Sequence, residues 1–198
     1  MNSVSIYQVG VNGISPILNE EQLINGCKSR DSIAQRSVFE RYAGRMLGVC
    51  ERYARNQADA EDILQDAFIK VFEKIGQFKG DGSFEGWIRK IVVNTALKKY
   101  TLSRYNKEVL EEDILVKEET QEGDPAAYNQ LSEKDILQLI HQLPDGYRII
   151  FNLYVIEGYR HEEIAEMLGI QSGTSRSQLA KARIMLQKQI ISLQQIAI

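Results

Sequence analysis

The basic side chains of this 198-residue chain are concentrated in two stretches that contain no acidic residue. Residues 86–107 contain Arg89, Lys90, Lys98, Lys99, Arg104 and Lys107, and residues 167–198 contain Arg176, Lys181, Arg183 and Lys188. Clustered lysine and arginine neutralise phosphates, so each stretch is a candidate nucleic-acid-binding surface. The net charge of −3 does not argue against this, because binding depends on where the charge lies. Between the stretches, residues 108–124 carry eight acidic residues and one lysine, which predicts an acidic connector.

Residues that support metal or covalent chemistry are few and widely separated. Cys27 and Cys50 form neither a disulfide framework nor a CxxC pair, and we expect two buried reduced thiols. His141 and His161 lack the paired spacing of a zinc site. The chain contains no glycine-rich phosphate loop and no nucleophile elbow. We therefore expect no catalytic residue, no metal and no cofactor, and an enzymatic function is not supported.

Apolar residues after Asn19 recur at intervals of three and four, which predicts an all-α protein. A hydrophobic content of 43% is sufficient for the cores of two small domains. We predict an N-terminal tail over 1–19, a first helical domain over 20–104, a flexible acidic linker over 105–130 and a helix-turn-helix four-helix domain over 131–198. The tail does not resemble a signal peptide and no segment is apolar for long enough to span a membrane, so a cytoplasmic location is expected.

Four helices are predicted in the first domain. Asn19 is expected to cap the first helix, and the second is predicted over 32–54. The third is predicted over 59–75 with Asp59 as its N-cap, and a glycine-rich loop separates it from a fourth over 84–100. The third helix carries an apolar stripe that is broad for one buried face, so part of it is expected to contact a partner: Ile63, Leu64, Ala67, Phe68, Val71, Phe72 and Ile75.

A helix-turn-helix motif is predicted in the second domain. Ser132 is expected to cap the first helix of this domain, and another helix follows over 145–156. Residues 162–168 then form the first helix of the motif, and residues 174–189 form the second. Gly169 lies between them, where a turn requires a positive φ.

The second helix of the motif has an apolar side and a polar side. The apolar residues recur at intervals of three and four and are predicted to be buried: Leu179, Ala182, Leu186, Ile190 and Leu193. The start of the helix and its opposite side are predicted to bind duplex DNA in the major groove: Thr174, Arg176, Ser177, Ala180, Lys181 and Arg183. The alternative is a basic amphipathic helix that only closes a helical bundle, since surface lysines are usually just solvated.

Three segments carry a resemblance to a known family: DAEDILQDAFIKVFEKIGQF, GSFEGWIRKIVVNTALKKY and GYRHEEIAEMLGIQSGTSRSQLAKAR. Over about residues 21–100 and 131–189, the chain resembles the extracytoplasmic function (ECF) group of bacterial RNA polymerase sigma factors. The resemblance implies a first domain that binds core polymerase and opens the minus-ten DNA. It implies a second domain that reads the minus-thirty-five duplex, and an anti-sigma factor as a further partner.

The resemblance also implies two sets of site residues in the first domain. The residues implied to bind core polymerase are Asp62, Leu64, Gln65, Asp66 and Phe68. The residues implied to capture a flipped base and bind the single strand of the minus-ten element are Phe78, Lys79, Ser83, Phe84, Trp87, Arg89, Lys90, Asn94 and Lys98. Other interpretations stay open: the acidic residues also complement a helix dipole, the apolar ones also form core, and Trp87 is equally compatible with core packing.

Two positions depart from the family pattern. Ser175 stands where family members often have valine, so the packing at this inward-facing position is expected to shift. Ala180 is small where a larger side chain could contact a base, which leaves the minus-thirty-five preference open.

Two other functions account for parts of the chain. A stand-alone helix-turn-helix regulator would use the second domain, but the first domain lacks the alternating strands of a receiver domain. A helical protein-binding scaffold would use the apolar stripe, but it would not account for the two basic stretches.

Overall fold

The computed structural model describes residues 7–10, 13–16, 18–105 and 132–196. Besides a 3-10 turn at Ile75–Gln77 and a π-helix at Asn152–Ile156, the described residues form a hairpin and eight α-helices. These are β1 (Tyr7–Gly10), β2 (Gly13–Pro16), α1 (Glu20–Lys28), α2 (Ser32–Tyr53), α3 (Gln57–Lys74), α4 (Phe84–Tyr105), α5 (Glu133–His141), α6 (Asp145–Phe151), α7 (His161–Leu168) and α8 (Ser172–Ile196). The predicted helical fold with a helix-turn-helix domain is confirmed.

The antiparallel hairpin of β1 and β2 lies within the predicted N-terminal tail, with Tyr7 opposite Pro16. It is an addition to the prediction, because a helical apolar period carries no information about so short a pair of strands. Residues 106–131, which include nearly all of the predicted linker, lie outside the described part of the chain. Among the described helices, none is both long and apolar enough to cross a membrane.

Helix α3 packs between α2 and α4 in the first domain. The apolar stripe on α3 is buried on both sides, with Ile63 and Phe68 3% exposed and Val71 fully buried. Burial of each large side chain contributes about 1.5 to 3 kcal/mol. The breadth of the stripe therefore reflects two packing partners inside the domain, and a contact between α3 and another protein stays a prediction.

Side-chain caps define where the helices of the first domain begin. The predicted Asn19 cap is present, with the Asn19 carboxamide oxygen accepting from the Gln22 amide at 2.8 Å. The predicted Asp59 cap of α3 is wrong, because the side chain of Asn56 accepts from the Asp59 amide at 2.8 Å. Asp59 lies instead in the first turn, where a carboxylate complements the helix dipole.

The second domain packs α8 against α6 and α7. The helix predicted over 145–156 divides into α6 and the π-helix, because the widened turn bonds the Glu157 amide to the Asn152 carbonyl at 2.9 Å. Gly169 ends α7 at φ 66°, as the turn of the motif requires.

The two domains share one apolar core and a set of polar contacts. The carboxamide nitrogen of Asn152, a fully buried residue, donates to the backbone carbonyl of Arg52 at 2.8 Å. The Arg55 guanidinium donates to the Asp145 carboxylate at 2.9 Å. The domains thus contact each other through α2 and α4 of the first domain and the α6 region of the second.

Candidate nucleic-acid interface

Helix α8 presents the predicted polar side to solvent at its N-terminal half. Leu179 is 3% exposed and Ala182 is fully buried, as predicted from the apolar spacing. Leu186 and Ile190 are half-buried, and the predicted burial of Leu193 is wrong, because this residue near the end of the helix is 43% exposed. The predicted DNA-reading residues lie around the other side. Arg176, Ser177, Ala180 and Arg183 are exposed, and Thr174 and Lys181 are half-buried.

The Arg176 guanidinium is held over the gap between the two helices of the motif. It donates to the Glu162 carboxylate on α7 at 2.6 Å and to the Ser172 hydroxyl at 3.3 Å. Both members of the Arg176–Glu162 pair are more than half exposed, so the pair contributes little stability. The pair places the guanidinium beside the N-terminal end of α7.

Behind this face, the departure from the family pattern at Ser175 is accommodated by a hydrogen bond. Ser175 is fully buried, and its hydroxyl lies 2.9 Å from the His161 Nδ1 atom on α7. The His161 ring stacks on Tyr154 with centroids 4.4 Å apart. A polar residue therefore occupies the inward position because a specific partner satisfies it.

The aromatic residues of the loop between α3 and α4 form a cluster. The Phe78 ring centroid lies 5.1 Å from that of Phe84 and 5.6 Å from that of Trp87, and Phe84 stacks on Trp87 at 5.9 Å. Phe84 is fully buried and Phe78 is 9% exposed, whereas Trp87 is half-buried. Both phenylalanines are thus core residues that shape the loop, and Trp87 is the member with a surface available for stacking.

Around this cluster, the polar candidates of the loop and of α4 lie at the surface. The Ser83 hydroxyl accepts from the Gly86 amide at 3.0 Å at the start of α4. The exposed candidates are Lys79, Ser83, Lys90, Asn94 and Lys98. The last three are spaced by four residues and share one side of α4, so the structure brings two cationic side chains and an amide onto a single strip.

Arg89 differs from the other basic candidates because it is engaged by the second domain. Its guanidinium donates to both oxygens of Glu157, at 2.6 and 2.9 Å, and the Arg52 guanidinium lies 3.6 Å from the same carboxylate. We call these three residues the interdomain ion-pair cluster. The Glu157 side chain is 6% exposed, and its hydrogen bonds raise the pKa of Arg89. The charge of Arg89 is therefore neutralised within the chain.

The candidates for polymerase binding on α3 divide between surface and core. Asp62, Gln65 and Asp66 are exposed, and Asp62 also lies 3.3 Å from the Lys99 ammonium. Leu64 is 7% exposed and Phe68 is 3% exposed, with the Phe68 ring edge-on to Phe39 at 4.8 Å. The two apolar candidates therefore hold the helix in place, and the polar ones form its outer surface.

Sequence reasoning missed four residues that shape these surfaces. Glu157, Glu162 and His161 act through partners 14 to 68 positions away in the chain, so no local spacing indicates them. Ile69 is 57% exposed on α3 between acidic neighbours. Its position outside the buried stripe was a signal available in the sequence. Among the described residues, no cluster of histidine, cysteine or acidic side chains has the arrangement of a metal site.

Two family models match the chain, Sigma-70 region 2 over residues 38–104 and Sigma-70, region 4 over residues 133–186. The ECF RNA polymerase sigma-E factor of Haemophilus influenzae is 30% identical over 184 residues, which cover 87% of this chain and 96% of that protein. The RNA polymerase sigma-H factor of Pseudomonas aeruginosa is 30% identical over 180 residues, covering 85% and 92%. Among solved structures, the sigma factor RpoE of Bartonella quintana, in complex with the anti-sigma factor NepR, aligns with a TM-score of 0.49 at 22% identity, covering 79% and 96%.

The two matched regions define the class of the protein as a transcription initiation factor of the sigma-70 type. Within that class, the chain belongs to the ECF group of RNA polymerase sigma factors. It is an alternative sigma factor that binds core RNA polymerase and directs initiation at specific promoters. The resemblance drawn from the three sequence segments is confirmed.

Proposed function

We propose that the exposed side of α8 reads the minus-thirty-five duplex of the promoters that this sigma factor serves. The observation that supports this is the placement of Arg176, Ser177 and Ala180 opposite the buried Leu179 and Ala182, on the second helix of a helix-turn-helix. Arg176 is the side chain suited to a guanine edge, and Thr174, Lys181 and Arg183 lie where phosphate contacts are made. Three groove-facing positions give a small footprint, so core polymerase supplies most of the affinity.

The test combines purified protein with core RNA polymerase and selects bound promoters from a library randomised in the minus-thirty-five region. Replacing Arg176 and Lys181 by alanine should weaken binding to the selected duplex by about tenfold or more, because a base contact and a phosphate contact are both lost. The matched control replaces Arg36 and Lys74, two exposed basic residues of the first domain, and makes the same change in charge. Equal effects in the two variants would exclude this reading face.

The strip Lys90, Asn94 and Lys98 on α4, together with Trp87, is the surface we assign to the melted minus-ten strand. Cationic side chains beside an accessible indole ring supply the phosphate partners and the stacking surface that single-strand binding requires. Lys79 and Ser83 extend the surface into the loop. Phe78 and Phe84 act through the shape of the loop, since neither presents a ring to solvent.

On α3, the proposed polymerase-binding surface consists of Asp62, Gln65, Asp66 and Ile69. Asp62, Asp66 and Ile69 follow each other at intervals of four and three on the exposed side, so charged and apolar contacts are offered together. Replacing Asp66 by alanine and Ile69 by serine should weaken core binding about fivefold to tenfold in a fluorescence competition assay. Lys74→Ala, on another side of the same helix, should bind as the wild type does; equal losses would exclude this surface.

We further propose that an anti-sigma factor controls the protein. The NepR complex concerns another sigma factor, and the support here is membership of the ECF group. The site of action proposed for the chain is the cytoplasm, where its relatives act on RNA polymerase. We also infer that it carries no enzymatic activity of its own, since the initiation factors it resembles leave catalysis to the polymerase.

A further inference from the structure

The His161–Ser175 contact joins the two helices of the DNA-reading motif at their facing ends. Ser175 belongs to the first turn of α8 and is flanked by Thr174 and Arg176, which we place on DNA. His161 is the first residue of α7. The contact therefore connects the start of the recognition helix to the start of the helix that supports it, at a spacing of 2.9 Å.

The burial of Ser175 makes this hydrogen bond more consequential than a surface contact. The residue is fully buried, so water cannot replace a lost partner, and an unsatisfied buried hydroxyl is costly. Burial of His161 lowers its pKa, and the nearby Arg176 and Arg183 lower it further against the opposing effect of Glu162. A lowered pKa favours the neutral imidazole, whose Nδ1 atom and the Ser175 hydroxyl then form one hydrogen bond with either group as the donor.

A second contact fixes the orientation of the imidazole ring. The imidazole lies over the Tyr154 ring of the π-helix with an interplanar angle of 22°. The Arg183 guanidinium, on α8, lies over the same tyrosine ring, 6.0 Å from its centroid. The series Ser175, His161, Tyr154 and Arg183 thus leaves α8, crosses α7 and the π-helix, and returns to α8. An imidazole stacked in this way has little freedom to turn away from Ser175.

We propose that His161 is a positioning residue for promoter recognition, setting through its hydrogen bond to Ser175 the angle at which α8 presents Arg176 to the minus-thirty-five duplex. This inference rests on the proposed function of α8 and adds to it a residue that acts through Ser175. Loss of the hydrogen bond leaves a buried hydroxyl unpaired, and a small tilt of α8 that relieves this cost would turn Arg176 away from its base.

The test is a double-mutant cycle in the reconstituted holoenzyme. The probes are a promoter selected by the wild-type holoenzyme and the same promoter with its minus-thirty-five region scrambled. His161→Phe leaves the Ser175 hydroxyl without its hydrogen-bond partner, and Ser175→Val leaves the His161 Nδ1 atom without its partner. Each change should reduce the preference for the selected promoter by about tenfold. The double variant replaces both partners by apolar groups, and its preference should return to within about threefold of the wild type.

Two controls separate positioning from stability and from failure of the proposed function. His141→Phe, a matched change on α5, should keep the wild-type preference, and thermal unfolding of each variant identifies any that is not folded at the assay temperature. If the wild-type holoenzyme selects no minus-thirty-five element, the proposed function of α8 is wrong. If it selects one and the folded single variants keep the full preference, or their losses add in the double variant, the inference about His161 is wrong.

Discussion

Replacement of Glu157 by glutamine should loosen the contact between the two domains. The buried Glu157 carboxylate is the acidic member of the interdomain ion-pair cluster, with two hydrogen bonds from Arg89 and the Arg52 guanidinium nearby. Glutamine keeps the shape of the side chain and one acceptor oxygen. It removes the negative charge that compensates both guanidinium groups of the interdomain ion-pair cluster.

The size of the effect follows from the exposure of the partners. Removing one member of a fully buried ion pair costs about 3 to 5 kcal/mol, and exposed pairs contribute about 0 to 1 kcal/mol. The Arg89 side chain is 36% exposed and that of Arg52 is 16% exposed, so the free energy lost from the interdomain ion-pair cluster should lie between these limits. We take the loss as about 2 kcal/mol, which lowers the ratio of closed to open molecules about thirtyfold.

Small-angle X-ray scattering of the full chain measures this change as an increase in the radius of gyration. Added salt should expand the wild type in the same direction, because it screens the partly exposed Arg89–Glu157 and Arg55–Asp145 pairs. The matched control is Glu85→Gln, whose partner Arg45 lies within the first domain at 3.0 Å. Unchanged scattering of a folded Glu157→Gln variant would refute the conclusion that these charges hold the domains together.

Three further predictions concern the framework of the domains. Asn56→Ala should lower the free energy of unfolding by about 1 kcal/mol in urea, because α3 loses its cap, and an unchanged midpoint would contradict the assignment. Gly169→Ala should cost about 1 kcal/mol or more in the same assay, since φ is 66° there. Burial raises the pKa of the Cys50 thiol to about 12. The folded protein should therefore react with iodoacetamide at pH 8 much more slowly there than the urea-unfolded protein, and equal rates would argue against a buried thiol.

The helices could be predicted where a cap and a one-sided apolar period agree. Helix α2 was expected over 32–54 and runs over Ser32–Tyr53. Val38, Tyr42, Met46 and Val49 are buried, whereas Ile33 is 56% exposed in the first turn and Phe39 is 39% exposed. The start of α3 was misplaced because Asn56 and Asp59 are both good caps, and only the hydrogen bond distinguishes them. The π-helix was not predictable, because its buried Asn152 is held by a carbonyl of the other domain.

The candidate site shows the same division between local and distant information. The exposed side of α8 followed from the spacing of Leu179 and Ala182, because a helix with its buried side fixed has its opposite side fixed as well. The Phe78 and Phe84 rings were predicted to contact DNA but are buried. The prediction failed because residue type alone does not distinguish an aromatic ring that stacks on a base from one that packs in the core. Charge clustering identified Arg89, but not Glu157, which lies 68 residues later in the chain.

Arg89 connects the arrangement of the domains to the proposed binding of the minus-ten strand. Its guanidinium makes two hydrogen bonds to the Glu157 carboxylate, and a phosphate would require the same donors. One guanidinium cannot serve both acceptors in this way, so a DNA contact by Arg89 requires release of Glu157. Because such linkage is reciprocal, whatever separates the domains raises the affinity of this surface for DNA, and DNA bound at Arg89 favours the open molecule to the same degree.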